Sequence, residues 1–201
     1  MSEVKTDKIS PRTASGTLTV GDSGDTLTVT SGVTFNASGA AITALNASNL
    51  ATGTVPTARL GSGTVLQVVS SGTTTYAGSS TSTYVDTGLA VTITPASTSN
   101  KILIIGTQAD CYSSSGNSNN SIHIRLVRDT TEILDICDRA LYSGSTLEQM
   151  QNIAFNYLDS PSLDVAITYK TQFHNQGAYA NVAVQQQQQG RSTITVMEIA
   201  A

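Results

Sequence analysis

The sequence predicts an all-β protein. It has an extended N-terminal arm with a small hairpin, then a jelly-roll-like antiparallel β-sandwich knob. Three observations carry this reading. Ser and Thr make 55 of the 201 residues, about 27%, and together with Val and Ile they give the chain a strand-forming composition. Apolar and polar residues alternate at period two in many short segments separated by Gly, Asn and Asp. Charged residues are only 12% of the chain, and Glu occurs only at Glu3, Glu132, Glu148 and Glu198, so the heptads of a coiled coil are excluded.

Residues 1–64 read as the arm. They hold four acids, four bases and one aromatic, Phe35, and about a fifth of them are Leu, Ile, Val or Phe. That is close to the limit below which a chain cannot fill its own core. Two TLTV segments, 17–20 and 26–29, flank the turn-forming GDSGD, so Leu18/Val20 and Leu27/Val29 mark the apolar face of one hairpin. An isolated hairpin is marginal in water. The arm is either a flexible tail or gains its core from other chains; the alternating Leu and Val favour docking on identical copies, a larger assembly or both, which makes Leu18, Val20, Leu27 and Val29 candidate contacts between copies. Residues 40–50 suit a short helix, and the Gly- and Pro-containing segment 52–65 leads to the knob.

Residues 65–201 read as the knob, with all seven tyrosines and both cysteines. Eleven strands are expected: 65–70, 74–77, 83–86, 90–94, 101–110, 121–128, 132–137, 150–157, 164–173, 180–186 and 192–199. Ile122, Ile124 and Leu126 share one face. So do Val165, Ile167, Tyr169, Thr171 and Phe173, and so do Ile194 and Val196, a row that Glu198 ends. Many short antiparallel strands with turn signals suit a sandwich of jelly-roll type. Residues 141–151 suit either a helix or a loop.

The net charge of −4 and the lack of a basic stripe argue against nucleic-acid binding. The start, MSEVKTDK, lacks the apolar core of a signal peptide, so synthesis in a cytoplasm is expected. The longest strongly apolar run, Ile102 to Ile105, is too short for membrane insertion. Cys111 and Cys137 read as free, buried thiols rather than a disulfide framework. Nucleotide-binding and nucleophile-elbow motifs are absent, and His123, His174, Asp135, Asp138 and the Asp110–Cys111 pair form no recognisable catalytic pattern. No enzyme activity, catalytic residue, metal or cofactor is expected.

Two segments suit binding. Residues 112–120, YSSSGNSNN, join an aromatic anchor to adaptable hydrogen-bonding groups, the chemistry of antibody paratopes. Tyr112, Asn117, Asn119 and Asn120 are the receptor-binding candidates, against an ordinary solvated loop. The run Gln185 to Gln189 is either an exposed strand end or a set of amides meeting near a symmetry axis, so Gln185 and Gln187 are further trimer-contact candidates.

Four phrases carry a family resemblance: TDKISPRTASGTLTVGDSGDTLTV (6–29), NLATGTVPTARLGSGTV (49–65), STSTYVDTGLAVTITPASTSNKILI (80–104) and RSTITVMEIA (191–200). The chain resembles tail-fibre and other fibre-like virion proteins of bacteriophages, notably those of marine and cyanobacterial hosts. The resemblance implies a homotrimer located on the virion, at the tail or particle surface. It implies docking on tail, baseplate or capsid proteins through Lys5, Thr6, Asp7, Lys8, Ile9, Ser10, Pro11 and Arg12. It also implies a short stalk over 13–64 and a knob over 65–201 that contacts a host surface glycan or protein. The expected function is a short tail-associated fibre for host attachment. The alternative is a capsid (head) fibre or decoration protein with a structural role.

Overall fold

The structure, a computed structural model, describes residues 60–187 and 190–201. All of them fall in the second of two units into which the chain divides, Thr54–Ala201. Ten strands run through them. They are β1 (Val65–Thr73), β2 (Ala77–Ser79), β3 (Val85–Ile93), β4 (Lys101–Ser113), β5 (Ile122–Arg128), β6 (Thr131–Ala140), β7 (Gln149–Asp159), β8 (Ile167–Asn175), β9 (Val182–Val184) and β10 (Ser192–Ile199). The described residues contain no helix.

The first sheet has the order β1-β10-β4-β7. The short β9 continues the β10 edge of β4 and carries β2 beyond it. The second sheet has the order β3-β8-β5-β6. Every pairing is antiparallel, and the eight long strands pair in nested fashion: β1 with β10, β3 with β8, β4 with β7 and β5 with β6. Nested pairs laid alternately on two sheets are a jelly roll. The expected antiparallel sandwich is the observed one.

Local chemistry explains the departures in element boundaries. The segments 83–86 and 90–94 are one strand, β3, whose register shifts between Asp86 and Ala90. Gly88 absorbs the shift at φ +82°, a backbone conformation that costs a glycine little. Residues 141–148 form a loop, and residues 149–151 already belong to β7. β8 starts at Ile167, so Val165 is exposed and not in the row of Ile167, Tyr169, Thr171 and Phe173. The expected arm hairpin and the helix at 40–50 lie outside the described residues.

Alternation buries two apolar clusters between the sheets. The larger holds Leu89, Val91, Ile102, Ile104, Leu126, Phe155, Tyr169, Ile194 and Val196, among others. Gly106 stands opposite Phe155 in register, and a side chain there would overlap the Phe155 ring. The smaller holds Cys111, Ile122, Ile124, Leu141, Phe173, Val182 and Val184. Each fully buried aliphatic or aromatic side chain stabilises the fold by about 1.5–3 kcal/mol relative to its exposed state.

A belt of buried polar side chains crosses the sandwich. Thr87 (β3) and Thr171 (β8) join by their hydroxyls at 2.6 Å. Thr171 donates to Gln108 Oε1 on β4 (3.0 Å), and Gln108 Nε2 donates to Ser192 Oγ on β10 (2.9 Å). Gln185 completes the belt. Its oxygen accepts from Ser192 Oγ (2.7 Å) and Gln108 Nε2 (2.5 Å), and its nitrogen donates to the carbonyls of Val184 and Thr75 (both 3.1 Å). All five residues are fully buried.

Two carboxylates anchor the structure elsewhere. Asp159 (β7) accepts two bonds from Arg128 (2.8 and 3.0 Å) and one from Tyr169 (2.7 Å), tying the first sheet to the second. Glu198, fully buried on β10, accepts from the Ala96 N–H (2.7 Å), Asn100 Nδ2 (2.6 Å) and Gln67 Nε2 (2.5 Å). Burial pushes the Glu198 carboxyl up, but these hydrogen bonds outweigh it and hold the group below its ordinary value of 4.5.

Two outcomes follow. Gln108→Leu conserves shape but leaves Thr171, Ser192 and Gln185 short of partners, so the urea midpoint should report a loss of about 2–4 kcal/mol. The depressed Glu198 group stabilises the fold fully above pH 4.5, and this contribution is lost as the pH falls through the folded-state value. Urea midpoints measured from pH 6 to pH 3 should therefore fall less steeply in Glu198→Gln, which also starts from a lower stability at pH 6.

Candidate functional site

Two loops meet at one end of the sandwich because two asparagines bind them together, and a third reaches them through a tyrosine. Asn175, the last residue of β8, is fully buried. Its Oδ1 accepts from the N–H groups of Gly177 (3.1 Å) and Tyr179 (3.4 Å). Its Nδ2 donates to Asn120 Oδ1 (2.6 Å) and to the Ala180 carbonyl. Asn120 donates to the carbonyls of Ser114 (3.1 Å) and Asn181 (3.0 Å). Backbone bonds from Ser114 to Asn181 (3.0 Å) and from Gln176 to Ser121 (3.1 Å) close the junction of the β4–β5 and β8–β9 loops. The β6–β7 loop joins through Tyr142, whose hydroxyl donates to Asn119 Oδ1 (3.5 Å).

These loops form an open, shallow cavity of about 360 Å³ lined by Asn119, Arg139, Gln176, Gly177 and Tyr179. Arg139 (φ 61°) lies at a register shift of β6, after which Ala140 still pairs with Ile122, and Leu141 (φ 63°) follows the strand end. The Arg139 guanidinium lies 4.1 Å from the centre of the Tyr142 ring. The Tyr179 ring lies over Gly177, where any side chain would overlap it. Tyr142 is 45% and Tyr179 52% exposed.

Next to the cavity, the outer face of the second sheet carries a saturated charge network. Lys170 pairs with Asp86 at 3.0 Å, and Gln172 donates to the same carboxylate at 2.7 Å. Arg125 donates to Gln172 (2.7 Å) and Glu132 (2.9 Å), and its guanidinium stacks 3.5 Å over Tyr84. Tyr84 meets His174 edge-on at 4.4 Å. His123 lies beside His174 at 4.9 Å, with its Nε2 3.0 Å from Asp135 Oδ1 and its Nδ1 3.1 Å from Gln176 Oε1.

The outer face of the first sheet is the opposite. In register across four strands lies the row Val68, Met197, Leu103 and Leu158. The next outward row is Ser70, Thr195, Ile105 and Asn156, followed by Thr193, Thr107 and Ala154. No residue of these rows is charged, and the Arg191 guanidinium lies over Gly72, the β1 neighbour of Thr193. Val68 is 56%, Ile105 45% and Leu158 50% exposed.

The structure brings together only part of the residue set expected from the sequence. Asn119 is exposed and lines the cavity, and Asn117 Oδ1 shapes its turn by accepting the Asn119 N–H at 2.8 Å. Tyr112 is half-buried on β4 and donates to Glu148 (2.8 Å), a bond that, with burial, pushes its hydroxyl pKa up. Two expectations are corrected. Asn120 is buried and holds the loops, so no surface remains for a receptor. Gln185 is fully buried in the polar belt, so it cannot meet a neighbouring chain, whereas Gln187 is exposed. Leu18, Val20, Leu27, Val29 and the docking segment Lys5 to Arg12 lie outside the described residues.

Sequence reasoning missed Arg139, Gln176 and Tyr179. The segment 174–179, HNQGAY, has the same Tyr, Asn and Gly chemistry as 112–120 and carried the missing signal.

Burial pushes the Cys111 thiol up strongly and the Cys137 thiol up to about 11, so neither is a thiolate at neutral pH. Among the described residues, no group of three His, Cys, Asp or Glu side chains is placed to hold a metal ion. No protein-family model and no curated protein matches the sequence.

Asn175→Ala removes four hydrogen bonds and cuts buried Asn120 from the β8–β9 loop. It should lower stability by about 2–4 kcal/mol in urea titration. Asn119→Ala, at an exposed position, should stay within about 0.5 kcal/mol of the parent.

Proposed function

We propose that this chain is a short homotrimeric, tail-associated fibre of a bacteriophage virion. In this reading its N-terminal segment docks on the particle and its jelly-roll knob attaches to the host surface. One observation carries the assembly: the contrast between the two outer sheet faces. The second sheet pairs its charges internally and suits water. The first presents Val68, Leu103, Ile105, Leu158 and Met197 with no charge among them. A sheet face with an exposed apolar row of this kind suits burial against copies of itself, and closed rotational symmetry limits the assembly. The threefold order comes from the resemblance to phage fibre proteins.

The loop-end cavity supports the attachment role. It lies on exposed loops held by a rigid scaffold, where binding sites concentrate, and three copies would gain avidity from weak individual contacts. No enzymatic step enters this reading.

Native mass spectrometry of the full chain should show a species of three times the 20.8 kDa chain mass. Ile105→Lys should dissociate it at micromolar concentration without changing the far-UV spectrum, and a monomeric parent protein would overturn the assembly. Excess trimer should slow virion adsorption to host cells several-fold. Trimers that leave adsorption unchanged would replace the attachment role with the structural one of a head fibre or decoration protein.

A further inference from the structure

The loop-end cavity has a chemical bias beyond that of a general contact surface. Its lining contains no carboxylate. Arg125 and Arg128, on the neighbouring β5, are each engaged by a carboxylate, Glu132 and Asp159. Arg139 has no carboxylate partner among the described residues, yet its guanidinium is held in place by stacking on Tyr142. The two amides point the same way chemically. Gln176 Oε1 faces His123 and Asn119 Oδ1 accepts from Tyr142, which leaves both NH₂ groups to donate. The Tyr179 ring, half-exposed beside them, offers a flat apolar surface.

A fixed guanidinium recognises a carboxylate through two parallel N–H bonds. Convergent amide donors suit hydroxyl oxygens, and an exposed aromatic ring suits the C–H face of a pyranose. The cavity volume of about 360 Å³ lies near the lower end of the range for small-ligand sites, about 300–1,000 Å³. We propose that this cavity binds a carboxylate-bearing sugar, a hexuronic acid unit of a surface polysaccharide, with Arg139 taking the carboxylate and Tyr179 the ring face. The inference rests on the attachment reading for the source of its ligand and names the class of receptor.

The left-handed backbone at Arg139 and Leu141 serves this geometry. Arg139 falls at the register shift of β6 between Cys137 and Ala140 and lines the cavity, while Leu141 is buried in the smaller apolar cluster. Residues held in sparsely populated conformations cost about 1–3 kcal/mol each and cluster at ligand sites.

Saturation-transfer NMR on the full-length protein tests the proposal, with trigalacturonic acid as probe and neutral galactotriose as its counterpart. The acidic sugar should receive saturation and the neutral one little. Arg139→Gln should weaken binding of the acidic sugar at least tenfold, and Tyr179→Ala should weaken it too. Both side chains are exposed, so both variants should keep the parent melting temperature. Absence of saturation in either sugar, equal saturation of both, or saturation unchanged by Arg139→Gln would overturn the proposal. Adsorption competition separates the two readings. Trimers that block adsorption but bind no uronide defeat this inference alone. Trimers that bind the uronide through Arg139 but do not block adsorption support it and defeat the attachment role.

Discussion

The polar belt through Thr87, Thr171, Gln108, Ser192 and Gln185 is the constraint on which the rest of the structure depends. Apolar packing alone is non-directional and tolerates sliding of one sheet over the other. The belt does not, because buried donors and acceptors are satisfied in only one alignment of the sheets. It draws on β3 and β8 from one sheet and on β4 and β10 from the other, and takes in the residue that follows β9. The two sheets, their two apolar clusters and the exit of the chain from β9 are thereby placed together.

That alignment has consequences at the loop end. Gln108 holds β4 and Thr171 holds β8, and these two strands deliver Ser114 and Asn175 to the junction where Asn120 bridges the loops. A slip of one residue in either strand would turn its inward side chains outward. The cavity between Asn119, Arg139 and Tyr179 is thus positioned by buried amides that do not line it. The outer faces divide the remaining work. One pairs its charges and suits solvent, and the other carries uncharged rows that include the exposed Val68, Ile105 and Leu158.

Much of this was legible in the sequence, for a local reason. In Ile122–Leu126, Ile167–Phe173 and Ile194–Val196 the buried side recurs every second residue, so both the strand and its inward face can be read from a few neighbours. The candidate site was legible only in kind. Tyr, Asn and Gly marked 112–120 as a binding loop, but Asn119 and Asn120 are adjacent and chemically identical. One lines the cavity, and the other is buried because Asn175, 55 residues away, reaches it. Arg139 carried no local mark, since its isolation depends on which carboxylates fold near which arginines.

The sequence by itself determined the all-β class, most strand positions, the alternation of faces and the sandwich expected from them. Those properties follow from the two-residue repeat of a strand and from turn residues, which act over a few positions. Only the tertiary structure decided the nested pairing, the place of Gln185 inside rather than outside, and the cavity around Arg139. Each depends on partners far apart in the chain. A polar side chain is buried when distant groups satisfy its hydrogen bonds and stays at the surface when they do not.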